Sequence, residues 1–166
     1  MPDQKPEIAT ADICDAMGDA VQILATPFHN YGERVDFCGP AYTLKTNNDN
    51  SEVKALLQSQ GLGRVLIVDN GARMDCAMVG GNLAKWGAEN GWVGIIVNGC
   101  IRDQHELSDE IIAVKALGSY PKKSDKGSAE SHHGDITFGG VTLKTGMWIT
   151  GDLDGIVVTQ AKPVGF

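Results

Sequence analysis

The chain has 166 residues, 42% of them hydrophobic and 21% charged, with a formal net charge of −7. That length suits one domain with a real core. The acid excess and scattered Lys and Arg exclude a broad nucleic-acid surface, which needs clustered cations, and no run is long and apolar enough to span a membrane.

In chain order, Thr10-Ala11-Asp12-Ile13-Cys14-Asp15-Ala16-Met17 reads as a short helix. Thr10 is its expected cap, acids occupy its first turns, and Gly18 ends it. Residues 35–46 are strand-like, with Gly39-Pro40 marking a bulge or an edge. The polar turn Asn47-Asn48-Asp49-Asn50 leads to an expected helix over 51–60, closed by Gly61. Arg64-Val65-Leu66-Ile67-Val68-Asp69 is a continuous apolar run of the kind that forms a buried strand.

After Gly80-Gly81, a helix of about nine residues travels roughly 14 Å. The strand of about five residues from Val93 returns roughly 16 Å. Residues 35–101 therefore follow a β-α-β-α-β order, the grammar of a parallel sheet with right-handed crossovers. A helical turn over 103–109 and short strands over 111–117 and 119–121 come next. The loop 122–134 precedes a hairpin signal, 135–138 and 141–144 around Gly139-Gly140. Two further short strands, 147–150 and 155–159, finish the pattern. The expected fold is one α/β domain whose sheet is completed by a second, largely antiparallel layer.

Several groups are chemically inert on this reading. Cys14, Cys38, Cys76 and Cys100 are widely spaced, with no metal-binding pattern, and suit buried thiols in a reducing cytosol. No charged-then-apolar leader opens the chain, so a cytoplasmic protein is expected. His132-His133 diverge in direction and lack a third ligand, Ser128 and Ser131 have no nucleophile elbow, and Trp86 suits core or interface. Asp69-Asn70-Gly71-Ala72-Arg73 is a polar turn that should share a rim with Asn98–Asp103.

The chemistry concentrates where the helix and returning strand bring their polar ends together. Gly80, Gly81, Asn82 and Leu83 offer main-chain N–H groups at the positive end of a helix, able to receive a small anion. Opposite them stand Arg102 and Asp103, neighbours that point different ways and so suit two tasks. Arg102 can fork onto a carboxylate. Asp103 supplies one hard oxygen ligand, enough for a Mg²⁺ ion that keeps most of its waters. Glu106 lies on the same face of a helical turn, either orienting a water or solvated.

The spacing Gly81, twenty intervening residues, then Arg102-Asp103-x-x-Glu106 is distinctive. With Arg64–Asp69 and Phe138-Gly139-Gly140-Val141-Thr142, it resembles the family that contains the 4-hydroxy-4-methyl-2-oxoglutarate aldolases and the regulator of ribonuclease E activity, RraA. The similarity covers about Thr10 to Thr159. It implies a single domain over residues 1–166 with a three-layer β/β/α swivelling-domain fold, assembled as a ring-shaped homotrimer with clefts between subunits. It further implies that Gly80, Gly81, Asn82, Leu83 and Arg102 bind the pyruvoyl part of a small 2-keto acid, while Asp103 anchors a divalent metal, Mg²⁺ or Mn²⁺. The implied reaction is metal-dependent cleavage to pyruvate, with oxaloacetate decarboxylation through the same enolate; Arg102 and Asp103 are the expected catalytic pair.

The characterised aldolases of that family carry Asp where Gly81 stands, linked to a water that shuttles the proton. The ribonuclease regulator departs differently, lacking the aspartate after the arginine. Retention of Asp103 favours a lyase. The alternative is a protein-binding regulator that inhibits ribonuclease E, its acidic surface docking on a basic partner.

Overall fold

The computed structural model describes residues 8–127 and 131–163; Ser128 of the expected loop lies outside them. Five parallel or near-parallel segments carry the site. They are β3 (Phe37–Lys45), β4 (Val65–Asp69), β5 (Ala77–Val79), β6 (Gly94–Ile101) and β7 (Ala113–Ser119). Between them run α2 (Ser51–Leu57), α3 (Gly81–Glu89) and α4 (Gln104–Leu107). The antiparallel part consists of β1 (Gln22–Ile23), β2 (His29–Asn30), β8 (Ile136–Phe138), β9 (Val141–Leu143), β10 (Trp148–Gly151) and β11 (Ile156–Thr159). The large mixed sheet has the order β1-β11-β10-β3-β4-β6-β7-β2, with β5 also paired to β6, while β8 and β9 form a separate hairpin.

Burial on both faces explains the apolar runs. Every residue of β4 is buried. Leu66 and Val68 join Ile95, Val97, Val53 and Leu57 on the helix-covered face. Val65 and Ile67 join Ile96, Ile136, Leu143 and Ile149 on the other. Alternate residues of one strand thus feed two cores. Strand β3 links the two sheet regions: Phe37–Pro40 pair antiparallel with β10, and Ala41–Lys45 pair parallel with β4. The handover falls at Gly39-Pro40, where proline has no ladder donor and a Cβ on Gly39 would run into the Gly63 carbonyl.

The structure corrects the sequence reading in several places. Strand β6 runs for eight residues to Ile101, all buried, where about five from Val93 were expected. Residues 111–121 hold one strand, β7, instead of two. Helix α2 stops at Leu57. The short β1, β2 and β5 were not foreseen.

The first helix, α1 (Thr10–Met17), is capped by Ala9 with no side-chain bond. The Thr10 hydroxyl instead donates to Asp152 Oδ1 at 2.8 Å, a partner far along the chain. Asp152, on the β10–β11 turn, is buried and also accepts the amides of Thr10, Asp154 and Gly155. Its carbonyl receives Nζ of Lys115 at 2.8 Å. All four cysteines are free thiols. Among the described residues, no helix is long and apolar enough to cross a membrane.

Lys115 is buried on β7. Burial pulls its pKa below the ordinary 10.5, partly opposed by the Asp152 and Asp36 carboxylates. The unfolded chain therefore holds more protons than the native state between that lowered value and 10.5. Stability should rise with pH across this window, the burial penalty being fully present below it. Lys115→Met should flatten the rise, measured as urea midpoints at a series of pH values up to 10.5; parallel curves for both proteins would contradict the argument.

Candidate functional site

Helix α3 opens on Gly80 as its cap, in extended backbone and without a side-chain cap bond, and no acid occupies its first turn. The first-turn amides are therefore left for groups from elsewhere. The register of β5 beside β6 supplies those groups. Val79 pairs with Ile101, and the Arg102 amide donates to the Val79 carbonyl at 2.9 Å. The two strands thus end side by side, one delivering Gly80 and the other Arg102 and Asp103.

Asp103 has a left-handed backbone, φ 61° and ψ 46°, at the start of α4. Such a conformation costs a non-glycine residue about 1–2 kcal/mol. Here it turns the carboxylate away from its own helix, which it does not cap. Oδ2 instead accepts the Gly81 amide at 3.0 Å. The negative charge sits at the positive end of α3, where the helix dipole favours it. Arg102 lies along Gly80: a Cβ built there would be 2.6 Å from Asp103 Oδ2 and 3.5 Å from Arg102 Cγ. Its Nη1 is 3.4 Å from the Pro121 carbonyl, a long contact that leaves most of the guanidinium donors for another partner. No ion pair joins Arg102 to Asp103 among the described residues.

Glu106 completes the arrangement. A Cβ on Gly81 would overlap Glu106 Oε2 and lie 3.0 Å from its Cβ. Its carboxylate therefore fills the volume that a side chain at 81 would occupy. Two carboxylates reach Gly81, one at the amide and one beside the α-carbon. Buried Leu107 anchors the short helix that presents Glu106, while Asp103 and Glu106 themselves remain exposed to solvent.

The predicted residues divide by what they contribute. Gly80, Gly81, Arg102 and Asp103 meet at one corner. Asn82 is exposed, and Leu83 packs its side chain on the helix-side core, so Leu83 offers the site only its backbone N–H. The expected rim with Asp69–Arg73 is present but is a latch: Asn98 Nδ2 donates to Asp69 Oδ1 at 2.9 Å, and the Ala72 amide reaches the Asn98 carbonyl. His133 contacts Glu52 instead of gathering ligands. Pro121 and the Gln104–Ser119 hydrogen bond, 2.7 Å, were not foreseen, and nothing local in the sequence signals either.

The donor set is hard oxygen from Asp103 and Glu106, and no group of three or more His, Cys, Asp or Glu gathers among the described residues. That suits a Mg²⁺-type ion, which takes one or two carboxylates and fills its shell with water and substrate. It does not suit zinc held by His and Cys.

A family model described as RraA-like, Aldolase/RraA, matches residues 10–158. A protein of Aromatoleum aromaticum named "Putative 4-hydroxy-4-methyl-2-oxoglutarate aldolase" is 46% identical over 94% of this chain and 98% of its own. One of the same name from Alkalilimnicola ehrlichii is 43% identical over 92% and 95%. A Thermus thermophilus crystal structure titled as the RNA-processing inhibitor RraA superposes with TM-score 0.91 at 34% identity, covering 96% of each chain. A Geobacillus kaustophilus structure titled S-adenosylmethionine: 2-dimethylmenaquinone methyltransferase does so with TM-score 0.91 at 35% identity, over 96% of this chain and 99% of that one. With its two-sided mixed sheet and the Gly81–Arg102–Asp103–Glu106 corner, this chain belongs to the RraA-like family.

Proposed function

We propose that the protein is a divalent-metal-dependent lyase that cleaves 2-keto acids of the 4-hydroxy-4-methyl-2-oxoglutarate type to pyruvate and decarboxylates oxaloacetate. The observation that carries this reading is the convergence of a helix start without a cap of its own, a guanidinium and two carboxylates, one of them on the Gly81 amide, at Gly80-Gly81. Names of relatives at 43–46% identity support it.

The first-turn amides of α3 receive the substrate carboxylate. Arg102 holds the keto acid and faces the oxygen that becomes negative. A divalent cation held by Asp103 would supply Lewis-acid stabilisation to that same oxygen. Glu106, in the volume beside Gly81, takes the proton from the substrate hydroxyl. The carbon–carbon bond then breaks, its electrons passing into the keto acid as an enolate. Glu106 returns the proton to the enolate carbon, giving the methyl group of pyruvate. In oxaloacetate the bond to the departing CO₂ supplies the same electrons, and the enolate carbon takes its proton from solvent water. No Schiff-base lysine is needed.

The test is a coupled pyruvate assay on oxaloacetate and 4-hydroxy-4-methyl-2-oxoglutarate, with Mg²⁺ and with chelator. Release of pyruvate that chelator suppresses is expected; none from either substrate overturns the reading. Asp103→Asn keeps an acceptor for the Gly81 amide but loses the charge, so its residual activity should no longer respond to chelator. Glu106→Gln should slow turnover about 10²–10⁴-fold, with little change in thermal midpoint because the side chain is exposed.

This reading includes a single domain of the β/β/α swivelling class, working in the cytoplasm as a homotrimer; a stable monomer in sedimentation would contradict the assembly. A second reading draws on the likeness to the RNA-processing inhibitor: the chain binds and restrains ribonuclease E. Purified enzyme scored for salt-sensitive binding and lost RNA cleavage separates the two, and no binding at micromolar concentration discards the regulator.

A further inference from the structure

At the opposite end of the sheet lies a cavity of about 700 Å³, within the range of small-molecule pockets. Its walls include Phe37 at the start of β3, Trp148 at the start of β10, and Trp92 with Val93 just before β6. The Gly80–Arg102 corner follows the far end of β6. Eight residues of strand separate the two, roughly 25 Å, so the cavity belongs to a different site.

Its chemistry is uneven in a telling way. Three charged side chains line it: Arg34, Lys162 and Asp36. Asp36 also bears on the buried Lys115, whose ammonium it favours. Arg34 and Lys162 form no ion pair with another described residue. Lys162 Nζ lies 5.9 Å from the centre of the Trp148 ring, a distance at which a cation is only weakly held. The Arg34 backbone is pinned against β7 by its amide on the Ile112 carbonyl, 3.4 Å, which fixes the root of the side chain. Ile111, 63% exposed, stands at the cavity together with half-buried Trp148. Two cations not ion-paired with any described residue, in a lining where the one carboxylate, Asp36, also bears on Lys115, therefore flank water-facing aromatic and apolar surface. A ligand suited to cover one and pair with the other combines a ring with an acid.

We propose that this cavity is a second ligand site, separate from the lyase corner, that takes a flat aromatic molecule bearing an anionic group. The ring lies against Trp148, and the anion lies between Arg34 and Lys162. The assignment does not depend on the lyase reading.

The test is a fluorescence titration of the full chain with 1-anilinonaphthalene-8-sulfonate, an aromatic sulfonate, and with N-phenyl-1-naphthylamine, its uncharged relative. The sulfonate should bind saturably at one site per chain and the amine at least tenfold more weakly. The pair Arg34→Gln and Lys162→Gln should weaken sulfonate binding at least tenfold, while Arg102→Ala leaves it unchanged. The double variant should keep the wild-type circular dichroism spectrum and thermal midpoint, showing that it remains folded. Absent or non-saturable binding, equal affinity for the neutral amine, insensitivity to the double variant, or displacement by oxaloacetate would each overturn the assignment.

Discussion

Arg102→Ala should lower kcat/KM for pyruvate release by about 10²–10³-fold, the loss typical of one donor aimed at a developing oxyanion, roughly 3–4 kcal/mol. The side chain is only half-buried, and its one long hydrogen bond runs to the Pro121 carbonyl at 3.4 Å. Removing it should therefore leave the folded state almost untouched, with a stability change within about 0.5 kcal/mol. Arg102→Lys keeps the charge but not the planar fork, so it should fall between wild type and Ala. Steady-state kinetics on oxaloacetate, paired with thermal melts, check both statements. A loss smaller than tenfold would remove Arg102 from the reacting oxygen, and a large fall in Tm would make its role structural.

Asp152→Ala should produce the largest loss of stability, about 3–5 kcal/mol, the usual cost of removing one member of a buried charged network. The carboxylate accepts the Thr10 amide and hydroxyl, each at 2.8 Å, and the amides of Asp154 and Gly155. Its charge also offsets the desolvated ammonium of Lys115, which donates to the Asp152 carbonyl. Truncation leaves those donors unsatisfied and the ammonium less compensated. For a chain of this size, Tm should fall by roughly 6–20 °C. Asp152→Asn retains an acceptor and should cost less. A loss below about 1 kcal/mol in denaturant titration would mean that α1 does not depend on this turn.

Legibility in the sequence tracked how local each determinant is. The Arg64–Asp69 run was readable because five consecutive buried residues leave no other place for it than the middle of a sheet. Helix α3 emerged with its length, nine residues, though it begins on Gly81 itself, and the hairpin emerged around Gly139-Gly140 with slightly shorter arms. Strand β6 is longer than the roughly five residues expected because the polar Asn98 interrupts its apolar run. The fold pays for a polar residue there with the Asp69 carboxylate, which accepts the Asn98 amide. Strand β5 is three residues long and carries no periodicity of its own; only its pairing with β6 defines it. Thr10 looked like a cap, yet its hydroxyl is held by an acid 142 positions away.

The same division runs through the candidate site. From residue types and spacing alone came the helix start without side chains, the guanidinium, the adjacent carboxyl, and their approach to one another. Which atom meets which was a matter of tertiary structure. The β5–β6 register sets Asp103 on the Gly81 amide, 22 positions away, and brings Glu106 into the space beside the Gly81 α-carbon. Local sequence governs contacts within about one helical turn. Beyond that reach, strand pairing and the packing of two cores decide the geometry, and so they decide which carboxylate meets the Gly81 amide and which fills the space beside its α-carbon.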